Sequence, residues 1–433
     1  MSLFFSILQQ INQFLWGGPL LLFLCLTHGY FSIRTGFIQK NIKKAIQLST
    51  HNTKTSHGFS AFSSLATTLA ATLGTGNIIG ISTAIAFGGP GAVFWCWLTG
   101  IFGMATSYVE CYLNLRFRQK RNDGSFYGGP MYLMKYELQR PKMATFYAYL
   151  LLASSFCVGC STQSQAVTDT LHTLFHVPKL ITGCFLALVI GLVLLKGING
   201  IGTICTLLVP FMSFFYLFSC ILLLLLHIEY IFDAIIVIVS SAFSFSSVSG
   251  GILGSSFLLS ARYGIARGLF TNEAGLGSAS VTAGNSDGEP TGQALVLMSA
   301  TFWDTVVMCG LTGLVIVSTM LATPELFTTC SAGDYTFIAF SKLPFGAKIL
   351  AISIVFFAIA TLLGWSFFGE KATEFLFGIE QIKTYRFLYC FMIFLGSQMT
   401  LTLVWELSDF FNALMILPNI FSLFLLQKYL PKN

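Results

Sequence analysis

The stretch "LGTGNIIG" occupies residues 73–80, in the middle of a long apolar segment. Two glycines flank a threonine, and an asparagine follows at once. A helix in lipid keeps its backbone polar groups paired internally. Non-helical backbone at mid-membrane depth is tolerated only where it is buried in protein or lines a cavity. Glycine further weakens a helix by about 1 kcal/mol relative to alanine. Gly74, Thr75, Gly76 and Asn77 therefore mark either a helix broken for a purpose or a close-packing surface. Packing has its own support. Gly76 and Gly80 form a GxxxG pair, and Ala66, Ala70 and Gly74 make a small-residue stripe at four-residue spacing.

The rest of the chain supplies the context. Of 433 residues, 55% are hydrophobic and 9% charged, with a mean hydropathy of +0.77. A soluble domain carries roughly 25% charged residues. The composition is that of an all-α polytopic membrane protein. Eleven stretches have the roughly 20 apolar residues that a span needs: 14–33, 61–86, 91–115, 144–167, 179–195, 201–227, 238–262, 293–320, 346–369, 386–405 and 408–427. With the N-terminus outside and the C-terminus inside, the inner segments hold 20 of the 23 Lys and Arg. The positive-inside rule selects that orientation. The first 33 residues contain no Lys or Arg, so 14–33 reads as a retained helix rather than a signal peptide.

The net charge of +6 is explained by these loops and does not point to nucleic acid. Cys157 and Cys160 make one CxxC without a second pair, which reads as packing rather than metal or redox chemistry. Gly284-Asn-Ser-Asp-Gly288 matches GxSxG but lies in a polar stretch without strand–turn–helix context. No HExxH or Walker motif occurs. Nothing indicates an enzyme, a cofactor or a protein partner.

With 14–33 set aside, ten helices divide into two groups of five, 61–227 and 238–427. The helices 61–86 and 238–262 then hold equivalent positions with opposite orientation. One is interrupted by Gly-Thr-Gly-Asn, the other by Ser246–Gly251. Paired interruptions of this kind are the best sequence pointer to a secondary transporter's binding site. Residues 263–290 read as a cytoplasmic connecting segment. From Ile238 to Asn272 is 34 residues, about 51 Å if helical. That exceeds a bilayer core and places "NEAGLGS" (272–278) at the cytoplasmic face.

A break at Gly74–Gly76 offers free N–H groups to a carboxylate and free carbonyls to a hard cation. That set suits a zwitterion with Na⁺. Asn77 and Thr75 add an amide and a hydroxyl. Gln163, on 144–167, is either a further site residue or interhelical glue. Thr361 and Trp365 share a helix face, as ion and substrate contacts or as ordinary packing. Gly250 and Gly251, with Trp365 as an apolar wall, would leave room only for a small side chain. Asp304 is the most deeply placed acid, a cation ligand, a proton relay or a structural partner. A channel is the rival reading, but it would use rings of charge or carbonyls supplied by symmetry.

Longer stretches resemble the alanine or glycine:cation symporter family: residues 74–111, "GGPMYLM" (128–134), "RGLFTNEAGLGSAS" (267–280), "WDTVVMC" (303–309), "LLGWSFFGEK" (362–371) and "DFFNALMILPN" (409–419). The resemblance covers nearly the whole chain. It implies a leucine-transporter-type fold, a 5+5 inverted repeat preceded by one extra helix. It implies import of alanine, glycine or a similar small neutral amino acid across a bacterial inner membrane, driven by Na⁺ or sometimes H⁺. It assigns the substrate carboxylate to Thr75 and Gly76. It assigns Na⁺ to the carbonyls of Ala70 and Leu73 with the Thr361 hydroxyl. The family tends to carry two adjacent hydroxyl residues before Gly364-Trp365. Here they are Ala360 and Thr361, which leaves one fewer ligand and both coupling ions open.

Overall fold

The computed structural model describes residues 2–50, 59–122, 124–244, 257–328 and 330–431. The chain opens with α1 (Ser2–Trp16) and α2 (Pro19–Arg34), parted at Gly17–Gly18 and restarted by a proline in the first turn. α3 (Ile42–Thr50) precedes α4 (Ala61–Thr72), whose first turn is capped by the Ser60 hydroxyl accepting from the Ser63 N–H at 3.2 Å. α5 (Ile79–Gly88) and α6 (Gly91–Arg116) follow. A hairpin pairing Gln119–Lys120 with Phe126–Tyr127 then leads to α7 (Pro130–Tyr136). α8 (Pro141–Phe156) and α9 (Thr162–Phe175) run on through a π-helical turn at Cys157–Ser161. Next come α10 (Lys179–Leu194), α11 (Gly197–Leu226) and α12 (Ile231–Ala242). α13 (Phe257–Asn272) and α14 (Ser278–Gly284) precede α15 (Pro290–Thr301) and α16 (Gly310–Ala322), which are joined by a second π-helical turn, Phe302–Cys309. α17 (Tyr335–Phe340), α18 (Gly346–Phe377), α19 (Ile382–Ser397) and α20 (Leu401–Leu426) complete the chain.

Among the described residues, seven helices are long and apolar enough to cross a bilayer, and the bent pair α4–α5 makes an eighth. α10, α13–α14 and α19 fall short of that length, so the expected eleven spans are not each matched by a full-length helix. The outer helices carry their apolar side chains outward, as Leu207, Phe214 and Phe387 do. The inner ones are buried almost throughout, α18 above all.

The chain between α4 and α5 turns through 62°. Leu73 ends the helix with ψ 84°, and Gly74 is extended. Thr75–Asn77 make one tight 3₁₀ turn. The interruption at 74–77 is thus a real break.

The sequence puts its counterpart at Ser246–Gly251. Ser246–Gly251, with Gly250 and Gly251, lies outside the described residues. The expected helix 238–262 is not one element, since α12 ends at Ala242 and α13 begins at Phe257. The second interruption among the described residues falls between α13 and α14. There Glu273, Gly275 and Gly277 take φ of 56°, 99° and 85°. Two glycines suit a chain that turns left-handed three times in five residues. α13 packs on α5, and α14 packs on α4. The two broken elements therefore run antiparallel beside one another, as an inverted repeat requires. Residues 263–290 are not a connecting segment, because they carry most of α13, the break and α14. The length estimate for "NEAGLGS" failed because it assumed one continuous helix from Ile238.

Candidate functional site

The first break is closed on itself by Asn77. Its Oδ1 accepts the Gly74 N–H at 2.9 Å, and its Nδ2 donates to Asp304 Oδ1 at 2.6 Å. Asp304 lies in the π-helical turn between α15 and α16, and its Oδ2 accepts from the Thr305 hydroxyl at 2.7 Å. The Thr305 hydroxyl lies 3.3 Å from that of Thr271, on α13. A chain of polar groups thus ties the first break, through a fully buried carboxylate, to the last turn of α13. Asn77 is engaged at both ends of its amide. Asp304, left open by the sequence, is the group it holds.

Gln163 lies in the first turn of α9, two residues past the other π-helical turn, and such turns recur at functional sites. Its Oε1 accepts from both the N–H and the hydroxyl of Thr75, at 3.2 and 3.0 Å. An amide oxygen therefore sits where the sequence places a substrate carboxylate. Thr75, Gly76, Asn77 and Gln163 lie together around the break.

Sterics explain both glycines. A Cβ on Gly74 would lie 2.8 Å from Thr361 Oγ1 and 3.3 Å from Gln163 Oε1. A Cβ on Gly76 would lie 3.0 Å from the Phe270 ring and 3.1 Å from Thr271 Cγ2. Gly80 is different, with its nearest neighbours at 3.7 Å. The tight approaches at Gly74 and Gly76 surround the break, and the far end of the GxxxG pair packs loosely.

Two of the cation candidates, Leu73 and Thr361, meet. The Thr361 hydroxyl lies 3.2 Å from the Leu73 carbonyl oxygen and 3.0 Å from that of Phe357. Ala70 is fully buried on the same helix as Leu73. Ser64, Thr68 and Thr72 lie at four-residue spacing along α4, and their buried hydroxyls have no hydrogen-bond partner. This hydroxyl- and carbonyl-rich stretch has the hard oxygen donors that an alkali cation takes. Among the described residues no cluster of three His, Cys, Asp or Glu could hold a metal ion.

Trp365 is not the bare apolar wall the sequence suggests. It is fully buried, and its Nε1 donates to Glu273 Oε1 at 3.0 Å. The other Glu273 oxygen accepts from the Ser278 hydroxyl. A Cβ on Gly159 would overlap the base of the Trp365 side chain, so α18 and the α8–α9 span touch there. Trp365 thus braces the second break. From the other side, Asn419 Nδ2 donates to the Gly275 carbonyl at 2.9 Å and to Glu110 Oε1 at 2.5 Å. The Tyr147 hydroxyl donates to the Leu276 carbonyl at 2.7 Å. The sequence did not single out Glu273, Asn419 or Tyr147. By sequence Glu110 sits near the inner end of its helix, where bonding to loop arginines or to helix termini is expected. The one available signal was Gly275 and Gly277 within "NEAGLGS".

Above the first break the rings of Phe270 and Trp405 meet at 4.6 Å, and the Arg267 guanidinium lies 4.3 Å from the Trp405 ring centre. Arg267 Nη1 is 3.6 Å from Asp409 Oδ1. Beyond this seal lies a cavity of about 950 Å³. It reaches Ile79, Gln165 and Trp405 but not residues 74–77. Arg262 and Arg267 line it, at the end of the bundle opposite the basic hairpin and α7. They do not belong with the inner-loop charges.

The model of the sodium:alanine symporter family matches residues 1–433. The sodium/alanine symporter AgcS of Methanococcus maripaludis is 40% identical over 435 aligned residues, 98% of this chain and 95% of that protein. A probable sodium/glutamine symporter, GlnT of Bacillus subtilis, is 32% identical over 96% of this chain and 87% of its own length. Among solved structures, MhsT in complex with L-phenylalanine superimposes with a TM-score of 0.62 over 86% of this chain and 90% of its own, at 13% identity. That likeness shows a leucine-transporter-type fold.

Proposed function

The chain belongs to the sodium:alanine symporter family and is an amino-acid symporter of the membrane rather than an enzyme; from that premise we propose that it imports a small neutral amino acid, alanine or glycine, coupled to Na⁺, by alternating access around the break at residues 74–77. One observation carries this reading. The Thr75 N–H and hydroxyl converge on a single amide oxygen, that of Gln163, inside a broken helix. Donors that converge on one acceptor oxygen suit a carboxylate equally well. Substrate would displace Gln163 Oε1, freeing that side chain to turn toward the substrate's ammonium group. The tight approaches around Gly74 and Gly76 leave little room beside the break, which favours a small side chain.

Na⁺ would be held by the carbonyls of Ala70 and Leu73 and the hydroxyl of Thr361. Bound there, it would fix the carbonyl end of α4 while the amino acid occupies the N–H end of the break. Each ligand would thereby stabilise the conformation that the other binds, which is positive coupling between them. H⁺ coupling is the second reading, favoured by Ala360, which removes one hydroxyl beside Thr361. The buried Asp304 would be the group to carry a proton.

The test is uptake of labelled alanine into proteoliposomes under a Na⁺ gradient alone and a H⁺ gradient alone. Accumulation with the Na⁺ gradient is the expected result. Accumulation with the H⁺ gradient only would establish the second reading. Accumulation of glutamine but not of alanine or glycine would overturn the substrate.

A further inference from the structure

Between α2 and α4 the chain runs along the surface of the bundle. Residues 34–58 hold five Lys and Arg and no acid, and the first acidic residue of the whole chain is Glu110. α2 ends in a closed turn. The Gly36 N–H donates to the Ile33 carbonyl at 3.0 Å, and the Phe37 N–H donates to the Ser32 carbonyl at 2.7 Å. Gly36 and Phe37 both take positive φ, 62° and 59°. Glycine does so freely, but a bulky side chain there is strained. Burial does not offset that strain, because Phe37 is 43% exposed. The turn thus holds an aromatic ring at the surface at a cost in backbone energy. The Lys40 ammonium lies 5.4 Å from the centre of that ring.

The helix that follows, α3, is amphipathic. Ala45 and Ser49, one turn apart, are buried, and Ile42 and Leu48 pack on the same apolar cluster as Ala45. This side of α3 lies against α15 and α4. Lys43, Lys44 and Gln47 are exposed on the other side. The same cluster takes in Phe117 from the end of α6 and Tyr429 from the end of α20. Arg116 and Lys428, both exposed, therefore stand beside it as well. Among the described residues no ion pair includes Arg34, Lys40, Lys43, Lys44, Arg116 or Lys428. Lys44 faces Glu289, but the Glu289 oxygens already accept the Thr291 and Gly292 N–H groups at 3.0 and 2.8 Å.

We propose that α3 and the turn before it form a membrane-surface foot that binds anionic phospholipid headgroups. Lys40, Lys43 and Lys44 take the phosphates, and the Phe37 ring sits among the headgroups beside them. The arrangement fits that partner in three respects. A basic amphipathic helix leading from the end of a spanning helix lies in the headgroup layer. An exposed aromatic ring is at home at that depth. Basic side chains without ion pairs complement the negative surface of a bilayer, at about a fivefold gain in binding for each. Because α3 packs on α4, the lipid contact lies one helix away from the first break.

The test titrates the purified full-length protein, in micelles of a neutral detergent, with fluorescent phosphatidylglycerol. Lys40→Gln/Lys43→Gln/Lys44→Gln is expected to weaken binding about a hundredfold, the product of three such factors, at an unchanged Tm. Lys120→Gln/Lys135→Gln/Lys142→Gln removes the same charge from exposed positions elsewhere. It should bind within about twofold of wild type, since charges away from the foot are screened. Phe37→Asn removes the ring but keeps a residue that tolerates the left-handed turn. It should weaken binding about fivefold through the lost apolar contact. Glycerol phosphate, which has the headgroup's charge without the chains, should not compete at the lipid's own concentration. Equal losses in the two triple variants would overturn the foot in favour of net charge alone. Full competition by glycerol phosphate, with Phe37→Asn binding like wild type, would overturn the membrane surface in favour of a soluble phosphate. Unchanged binding in the Lys40, Lys43 and Lys44 triple variant would overturn the proposal outright.

Discussion

Gly74 and Gly80 belong to the same eight-residue stretch, yet their surroundings demand different outcomes on substitution. A Cβ at Gly74 meets a hydroxyl at 2.8 Å, whereas one at Gly80 meets nothing nearer than 3.7 Å. Gly74→Ala should therefore cut the initial rate of alanine uptake at least tenfold at equal amounts of folded protein. Gly80→Ala should leave it within about twofold, since surrounding space accepts a methyl group. Equal losses in both would restore the packing interpretation of GxxxG. At the cation candidates, Thr361→Ala should weaken Na⁺ activation about tenfold, roughly 1.4 kcal/mol. Ala360→Ser should strengthen it by restoring a hydroxyl. Both are read from the Na⁺ concentration giving half-maximal uptake. At this scale the sequence was most informative, because Gly-Thr-Gly-Asn shows in one dimension. It could not show that Asn77 is committed to Asp304, or that Gln163 occupies the Thr75 donors. Those pairings join residues 88 and more apart.

Between elements, the two breaks are supported differently. The first is held mainly by side chains of α9 and the π-helical turn at 302–309. The second is held by Glu110, Tyr147, Trp365 and Asn419, from four separate helices. Removing one member leaves buried partners unsatisfied, at about 1–3 kcal/mol each. Glu110→Ala should therefore lower the Tm measurably, because it leaves the Asn419 amide without a carboxylate partner. Gly277→Ala should do the same, since its φ is 85° and its Cβ would lie 2.6 Å from the Tyr147 hydroxyl. Unchanged Tm in both variants would show that the second break does not depend on this bracing. Here the sequence misled in an instructive way. α13 carries Arg262 and Arg267, so its charge resembled a loop. Those arginines line a vestibule instead of meeting lipid, and a hydropathy pattern cannot tell the two apart. The apolar α12 looked like the missing span for the complementary reason.

Across the whole molecule, two antiparallel broken elements lie at the centre and a vestibule opens at one end. The basic hairpin, α7 and the ion pairs of Arg121 with Glu374 and of Arg386 with Glu370 mark the other end. With Arg262 and Arg267 reassigned to the vestibule, the positive-inside bias still favours the hairpin end as cytoplasmic. A fluorescent reporter that matures only in the cytoplasm should be bright when fused to the C-terminus and dark when fused to the N-terminus; the reverse pattern would invert the import direction. In the structure the Phe270 and Trp405 rings lie between the vestibule and the break. The fold class and the first break were readable from local pattern. The second break and the vestibule were not, because each depends on which distant helices meet. The most direct measurement is a structure of the full-length protein with alanine and Na⁺ bound. The expected result is alanine's carboxylate on the Thr75 N–H and hydroxyl, with Gln163 Oε1 displaced from both. Alanine bound elsewhere, with the Gln163–Thr75 hydrogen bonds intact, would contradict the break as the binding site.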